Sequence, residues 1–308
     1  MDKRLTEKQR RELLVKWIAP ATEAEAARQE RAERMVKAAI ATHGAFAELD
    51  ITVAAKGSYR NNTNARADAD VDIKVQLNRP VHADFPTLVN WARRQEILGK
   101  AYGGPWRAGK LRLEVFNALE EYFSGPIDAD HNIAFNVPAV AGSRPSMDVV
   151  PCFRYLLYTD FNCEQVHEGT VVYAKDGKEI VNWPDQQLEN GREKNTRTGR
   201  RYKFAVRVLK AVENELAAQK VIKPLPSYFS ECLIYNVPDD ILTHGTFDDA
   251  IRESLVHLDR QLGWWFGDCG RGMVEPNGIK KLFGPGQKWT VDDAQTLAKG
   301  AWTYLNYG

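Results

Sequence analysis

The sequence contains no long hydrophobic run and no apolar leader. No stretch of 18 apolar residues occurs among its 308 residues, which argues against a membrane-spanning helix. The first 17 residues are charged throughout and have no apolar core, so they do not predict a signal peptide. We therefore expect a cytoplasmic protein that has no membrane partner.

Clustered cysteines are also absent. The four cysteines are widely spaced and include no CxxC pair: Cys152, Cys163, Cys232 and Cys269. In a chain of this size, that spacing predicts reduced thiols and argues against a disulfide framework or a zinc site. The six histidines form no HxxxH or HExxH pattern that would suggest another metal centre.

The chain has no strong excess of either charge. Its 42 basic and 41 acidic side chains leave a net charge of +1. A dedicated binder of duplex nucleic acid normally carries a basic excess, so this class of protein is not expected. A local basic pocket for a small anion is compatible with the neutral total. The hydrophobic share of 44% predicts a folded chain with a core.

The predicted elements change along the chain from mixed strands and helices to helices alone. The length suggests two domains, at about 150 residues each. Helices are predicted over residues 4–18, 22–43, 87–98, 109–123, 193–219 and 290–305, and strands over 51–59 (ending in a turn), 70–77, 131–139, 146–158, 171–174 and 178–183. The prolines from Pro80 to Pro86 predict a break. We expect an α/β (α+β) fold with a mixed-sheet lobe over residues 1–190, including the N-terminal helices, and a helical lobe over 191–308.

Two acidic residues begin the second predicted strand. Asp70 and Asp72 are two residues apart, so their side chains share one face of a strand, while Val71 and Ile73 point to the core. Adjacent carboxylates repel unless a cation lies between them. Oxygen ligands of this kind suit Mg²⁺ or Mn²⁺, and two such ions can act on the attacking and leaving oxygens of nucleotidyl transfer.

Further residues fit the same chemistry. Asp148 interrupts the apolar strand MDVVP and would be costly there without a partner. Gly57 allows the backbone to approach a phosphate, and the Ser58 hydroxyl can bond a phosphate oxygen. The alternative is that DADVD is a solvated acidic turn, since a DxD pattern alone occurs by chance in many proteins. The combination with Gly57-Ser58 and Asp148 favours the catalytic interpretation.

These motifs resemble those of a known family. GSY at 57–59, TNARADADVDI at 63–73 and MDVVPCF at 147–153 are similar to the cGAS/DncV-like nucleotidyltransferases (CD-NTases) of bacterial anti-phage signalling. The later blocks resemble the clade E branch: IVNWPDQQLENGREKN at 180–195, YKFAVRVLK at 202–210, PSYFSECLIYNVP at 226–238 and QKWT at 287–290.

The resemblance implies a bilobal, polymerase-beta-like enzyme whose active site lies in the cleft between the two lobes. Such enzymes join nucleoside triphosphates into cyclic oligonucleotides with two Mg²⁺ ions, and Mn²⁺ is an alternative. By motif position, the metal ligands would be Asp70, Asp72 and Asp148. Gly57 and Ser58 would hold the donor triphosphate.

The helical half offers a row of cations. Lys203, Arg207 and Lys210 are spaced i, i+4 and i+7, on one face of a helix. Such spacing usually means a solvated basic face, but a triphosphate also needs cations. By resemblance, Lys210 is the triphosphate-contacting lysine, Ser227 a further phosphate ligand and Tyr228 the residue that stacks on the donor base. Lys203 is a second candidate, and an ion pair with an acid is the alternative role for Arg207.

Asn182 is a candidate for base selection. It lies before Trp183-Pro184, and its amide can both donate to and accept from a base edge. The resemblance implies that an asparagine at this point favours uracil, while a turn cap before a proline is the alternative. The tryptophans of the C-terminal half are expected to pack in the core rather than stack on bases: Trp264, Trp265, Trp289 and Trp302.

We therefore expect a monomeric nucleotidyltransferase that makes a cyclic dinucleotide second messenger, with a pyrimidine among its candidate bases. Its partners would be nucleoside triphosphates such as UTP and ATP, and a separate effector that responds to the product. One alternative is a linear-product enzyme acting on RNA or a small molecule, and the neutral charge balance argues against RNA. The other is a non-catalytic nucleotide-binding regulator, against which the presence of all three carboxylates argues.

Overall fold

The computed structural model describes residues 5–19, 23–63, 70–263 and 269–308. The chain divides into two compact units. We call the first the mixed unit, made of Thr22–Arg60 and Asp68–Asp185. The second, the helical unit, is made of Met1–Ala21, Asn61–Ala67 and Gln186–Gly308. Unlike the division drawn from the sequence, this grouping joins the first helix to the C-terminal helices.

The mixed unit is built on one six-stranded sheet. Its strands are β1 (Ile51–Ala55), β2 (Val71–Asp84), β3 (Phe135–Val137), β4 (Met147–Tyr158), β5 (Val166–Tyr173) and β6 (Glu179–Asn182). The strand order is β1-β2-β4-β5-β6, and β3 pairs with β4. The β2–β4 pair is parallel and the other pairs are antiparallel. The expectation of a mixed sheet is confirmed. The strands β5 and β6 form an antiparallel hairpin around Asp176-Gly177.

Eleven α-helices lie within the described residues. They are α1 (Glu7–Trp17), α2 (Glu23–Thr42), α3 (Gly57–Asn61), α4 (Trp91–Leu98), α5 (Ala108–Tyr122), α6 (Pro184–Arg197), α7 (Arg201–Ala218), α8 (Ser227–Tyr235), α9 (Asp239–Thr243), α10 (Phe247–Leu262) and α11 (Val291–Tyr304). No helix of the described ranges combines the length and hydropathy needed to cross a bilayer.

The core of the helical unit forms around α7. Tyr202, Val206, Leu209 and Val212 recur at helical spacing and are nearly inaccessible to solvent. They pack with buried side chains of α8, α10 and α11 in one hydrophobic cluster. Trp289 is buried in this cluster and Trp302 packs against it, which confirms the expected packing role for these two. Trp264 and Trp265 lie outside the described residues.

Several element boundaries differ from the sequence prediction. The turn expected at Gly57 is the start of α3, and the strand expected over 131–139 is confined to β3. The long helix expected over 193–219 is two helices, because Gly199 and Arg200 both have positive φ and interrupt it. Pro80 does not end its strand. It follows a cis peptide bond inside β2, where the pairing with β4 shifts register between Leu77 and His82.

All four cysteines lie within the described residues and are free thiols, as expected. Cys152, Cys163 and Cys232 are buried. Burial raises the pKa of the Cys152 thiol to about 11, so this group is protonated at neutral pH.

Candidate active site

Sheet register places two of the predicted carboxylates on one face. Asp72 on β2 is directly opposite Asp148 on the parallel strand β4, and opposed residues share a face. Asp70 lies two residues before Asp72, just outside β2. Val71 and Ile73 between and beyond them are fully buried, as expected for the core side of the strand. The mixed unit therefore presents its acidic side chains together on one side of the sheet.

An asparagine that the sequence analysis missed connects the acidic residues. Asn136 on β3 is opposite Asp148 in the antiparallel β3–β4 pair. Its Nδ2 donates to Oδ1 of Asp148 at 2.9 Å and lies 3.5 Å from Oδ2 of Asp70. The amide nitrogen of Asn136 therefore lies between the Asp148 and Asp70 carboxylates. The signal in the sequence was a single polar residue between Phe135 and Val137, which are both buried.

Gly57 lies against the same acidic residues. Its φ of +71° is in the left-handed region, which favours glycine. A Cβ built at this position would overlap Oδ2 of Asp72, so a side chain here would displace the carboxylate. The backbone N–H of the preceding residue, Lys56, donates to the Asp72 carbonyl at 2.8 Å. Ser58, the second residue of α3, is partly exposed next to this contact.

The donor chemistry fits hard divalent cations. Asp70 is exposed to solvent, Asp72 and Asp148 are partly exposed, and all three supply carboxylate oxygens of the kind that Mg²⁺ and Mn²⁺ prefer. No group of three or more His, Cys, Asp or Glu side chains in the described part of the chain is arranged so that it could hold a metal ion. Like charges repel one another, so a bound cation would be needed to draw these carboxylates together.

The face that carries Asp72 continues along β2 with further polar side chains. Lys74 is buried, and its Nζ lies 3.1 Å from Oε1 of Gln76 and 3.3 Å from Oδ2 of Asp185. Arg60, at the end of α3 within this unit, also pairs with Asp185. Although burial opposes it, the cations Lys74 and Arg60 lower the pKa of Asp185. Asp185 therefore joins the start of α6 to the strand that carries Asp72.

Asn182 is the last residue of β6 and is opposite Thr170 on β5. Thr170 is in turn opposite Arg154 on β4, and Arg154 is an even number of residues from Asp148. By strand alternation, Asn182 and Asp148 therefore share one face of the sheet. The position is in a strand rather than in a turn, and α6 begins two residues later at Pro184.

The predicted row of cations in the helical unit is not a solvated face. Arg207 is 3% exposed and Lys210 is 2% exposed, so the alternative of a solvated basic face does not hold for these two. Arg207 donates to the carbonyls of Ile18 and Asn62. Lys203 is partly exposed, and burial is the largest influence that lowers its pKa.

Lys210 has a buried acidic partner, Glu231 on α8. Its Nζ donates to Oγ1 of Thr63 at 3.1 Å and lies 3.7 Å from Oε2 of Glu231. Burial lowers the pKa of Lys210, and the Glu231 carboxylate opposes that shift. The two charges are placed by α7 and α8, whose apolar sides form the core of this unit. The ion pair with Glu231 offsets the desolvation cost of burying the Lys210 charge.

The other two predicted residues of the helical unit begin α8. Ser227 is exposed and Tyr228 is partly exposed. The Tyr228 hydroxyl donates to Oε2 of Glu275 at 3.1 Å. Glu275 is itself buried and accepts hydrogen bonds from the amides of Asn277 and Gln287. The Tyr228 ring packs edge-on to Trp289, with its centroid 6.2 Å away, so one edge of the ring is fixed.

Comparison with known proteins identifies the family. The model of the cGAS/DncV-like nucleotidyltransferase C-terminal helical domain matches residues 189–306. A cyclic dipyrimidine nucleotide synthase CdnE from Legionella pneumophila is 35% identical over 292 residues, covering 94% of this chain and 96% of that protein. This chain belongs to the cGAS/DncV-like nucleotidyltransferases. Within them it is a clade E member, as its later sequence blocks indicate.

Solved structures agree with the family assignment. The CdnE cyclic dinucleotide synthase of Elizabethkingia meningoseptica, determined with GTP and Apcpp, matches with a TM-score of 0.78 and 28% identity over 98% of this chain and all of that chain. The CdnE c-UMP-AMP synthase of Rhodothermus marinus, determined with Apcpp and Upnpp, matches with a TM-score of 0.80 and 26% identity over 96% of this chain and 97% of that chain. The polymerase-beta-like CD-NTase fold expected from the sequence is confirmed.

Three residues of this nucleotidyltransferase escaped the sequence analysis: Asn136, Glu231 and Glu275. Asn136 lies between the buried apolar residues Phe135 and Val137, and Glu231 and Glu275 are themselves almost fully buried. A buried carboxylate or amide is costly unless it is hydrogen-bonded, so such positions point to a partner elsewhere in the fold. The sequence does not identify that partner, because each lies on another element.

Proposed function

We propose that this nucleotidyltransferase joins two nucleoside triphosphates into a cyclic dinucleotide with the help of two divalent cations. The observation that carries the proposal is the register of the sheet, which puts Asp72 opposite Asp148 with Asn136 bonded between Asp148 and Asp70. Relatives covering nearly the whole chain are named as cyclic dinucleotide synthases, which supports the same reaction here.

In this proposal Asp70, Asp72 and Asp148 hold the cations, with Mg²⁺ as the first choice and Mn²⁺ as the alternative. Bound there, such ions neutralise triphosphate charge and make a ribose hydroxyl a better nucleophile. Asn136 fixes the Asp148 carboxylate by its 2.9 Å hydrogen bond, so that the oxygen donors keep their direction. Gly57 leaves room beside Asp72 that a side chain would fill.

The donor triphosphate and its base use the remaining residues. The Ser58 and Ser227 hydroxyls donate to phosphate oxygens, and the Lys210 ammonium supplies positive charge. Lys203, which is partly exposed on the same helix, is a secondary cation. Tyr228 stacks on the base, and its hydrogen bond to Glu275 keeps the ring from turning.

We further propose that the product contains a pyrimidine. Asn182 shares the sheet face of Asp148, and its amide can accept from N3–H of uracil and donate to a uracil carbonyl. Among the relatives, the Legionella pneumophila protein is named a cyclic dipyrimidine synthase and the Rhodothermus marinus protein a cyclic UMP-AMP synthase. The Elizabethkingia meningoseptica protein is named a cyclic dipurine synthase, so the base choice needs its own test.

The product would act as a second messenger in anti-phage defence, through a separate effector, and the enzyme would work as a monomer. The carboxylate set with its supporting Asn136 favours catalysis over the alternative of a non-catalytic regulator.

One experiment tests the reaction and the product together. The purified protein is incubated with labelled ATP, GTP, CTP and UTP and either Mg²⁺ or Mn²⁺, and then with phosphatase. A phosphatase-resistant product with the mass of a cyclic dinucleotide, containing UMP, is expected. A phosphatase-sensitive product would contradict cyclisation, a purine-only product would contradict the base assignment, and no nucleotide consumption with either metal would contradict the proposed function.

A further inference from the structure

We propose that Glu231 is a positioning residue that holds the Lys210 ammonium ready for the donor triphosphate. This inference rests on the proposed function, which makes Lys210 the triphosphate cation. Glu231 itself does not touch the nucleotide: it lies on α8, is 2% exposed and acts through its neighbours. Glu231 is the one charged residue of α8, whose sequence is SYFSECLIY.

Both oxygens of Glu231 are engaged. Oε1 accepts from Nδ2 of Asn61 at 3.0 Å and from Nε2 of Gln187 at 3.1 Å. Oε2 accepts from Oγ1 of Thr63 at 3.0 Å and lies 3.7 Å from Nζ of Lys210. A buried carboxylate with this many donors is held in one orientation, and its hydrogen bonds and its ion pair offset the loss of hydration.

The Thr63 hydroxyl links the acid to the lysine. Thr63 is fully buried, and its one proton points to Glu231. Its oxygen is then left as an acceptor for the Lys210 ammonium at 3.1 Å. The Glu231 carboxylate therefore sets the direction of both hydrogen bonds, from Lys210 to Thr63 and from Thr63 to Glu231. If the acid were neutral, the hydroxyl could turn and the ammonium would lose both its acceptor and its counter-charge.

The Glu231 carboxylate also binds a second segment, at the end of α3. Asn61 is the last residue of α3, the helix that begins at Gly57 and carries Ser58. Ser227 begins α8 four residues before Glu231, one turn away. Glu231 thus connects to two candidate phosphate contacts within the helical unit: Lys210 through space and Ser227 through α8. Glu231 therefore helps to position both contacts. We expect its loss to weaken triphosphate binding more than it disturbs the metal-binding carboxylates.

The Lys210 charge gives a readout that a purely structural role would not produce. Burial and the nearby Arg207 lower the pKa of Lys210, whereas Glu231 and Cys232 raise it. In Glu231→Gln the lowering influences remain and the main opposing charge is gone, so the pKa of Lys210 falls further. A lysine loses its charge above its pKa. Triphosphate affinity in the variant should therefore be lost at lower pH than in the wild type.

The test is calorimetric binding of a non-hydrolysable triphosphate to the full-length protein at several pH values. Glu231→Gln should bind about tenfold or more weakly at neutral pH, the scale of one charge-assisted contact, and the difference from wild type should widen as the pH rises. A matched control is Asp248→Asn, which breaks the partly buried Arg10–Asp248 pair of the same unit, 12% and 13% exposed. That variant should lose stability while its affinity and its pH profile stay as in the wild type.

A second pair of variants covers the case in which Glu231→Gln does not fold. Thr63→Val keeps the shape and removes the linking hydroxyl, and Thr63→Ser keeps the hydroxyl. Affinity should fall in the valine variant and be retained in the serine variant.

Lys210→Ala separates this inference from the proposed function. If Lys210→Ala weakens binding while Glu231→Gln and Thr63→Val match the wild type at every pH, Glu231 is not a positioning residue and the proposed function stands. If Asp248→Asn weakens binding as much as Glu231→Gln does, the effect is general destabilisation and the inference is overturned. If the wild type itself binds no triphosphate, the proposed function fails and the inference fails with it.

Discussion

The two units handle their charged groups in opposite ways. In the mixed unit, Asp70, Asp72 and Asp148 share one side of a sheet, are exposed or partly exposed, and repel one another. In the helical unit, Lys210 and Glu231 are about 2% exposed and neutralise each other. Strand register can bring like charges together at the surface of a sheet, whereas a charge in a helical core requires an opposite charge beside it.

This contrast separates two roles within one enzyme. The carboxylates of the mixed unit carry like charges that a divalent cation can neutralise, so cation binding would relieve their mutual repulsion. The Lys210 charge is already balanced before a triphosphate arrives, and the partner determines where the ammonium sits. Removing a charge should therefore have opposite effects on stability in the two units.

The largest effect is expected from the mixed unit. Asp70→Asn combined with Asp72→Asn should abolish product formation, because the remaining carboxylate cannot hold two cations. The melting temperature should stay the same or rise slightly, since like-charge repulsion is removed. Product chromatography and thermal denaturation measure the two outcomes. Asp84→Asn, on the same strand and bonded to the Tyr155 hydroxyl, is the control that should stay active. Turnover in the double variant would contradict the metal assignment.

The helical unit should respond in the opposite way. Lys210→Met leaves the buried Glu231 without its counter-charge and should cost about 3–5 kcal/mol of unfolding free energy. Adding Glu231→Gln removes the second charge and should restore much of that stability. Triphosphate affinity should remain low in both variants, because the ammonium is absent in each. Denaturant unfolding together with calorimetry checks this, and an uncharged pair that still binds as wild type would remove Lys210 from the site.

The sequence was sufficient to predict the acidic residues of the mixed unit. Asp70 and Asp72 could be placed on one face because strand alternation is a local rule, and Asp148 followed from one acid in an apolar strand. The environment of Lys210 could not be predicted, because helical spacing gives the face of a side chain but not what covers it. Glu231 and Thr63 come from distant parts of the chain, so the sequence does not show that they surround the lysine. Asn136 was missed for the same reason: its partners lie on other elements.

Tyr228 allows a finer test within the helical unit. Tyr228→Phe keeps the ring and removes the hydrogen bond to Glu275, so donor affinity should change by about twofold at most, while stability falls by about 1 kcal/mol. Tyr228→Ala removes the stacking surface and should weaken binding by about 1–3 kcal/mol. Equal affinity in the two variants would contradict base stacking.

The smallest effect concerns base choice in the mixed unit. Asn182→Ser shortens the side chain and loses one of two hydrogen bonds to uracil, which is worth about 1 kcal/mol. We expect the share of UMP in the product to fall a few-fold in favour of purines, with total turnover retained. Chromatography of products from equimolar triphosphates decides it. An unchanged base composition would indicate that Asn182 lies outside the base pocket.

The parallel pairing of β2 with β4 also constrains how the protein folds. Asp72 and Asp148 can meet only after the chain from β2 to β4, which includes α4, α5 and β3, has closed the parallel crossover. Such non-local pairing is slow compared with the formation of helices, which depends on neighbours in the chain. The carboxylates also repel one another as they approach. Assembly of the acidic cluster is therefore expected late in folding, and a cation that binds it would act on the final steps rather than on the initial collapse.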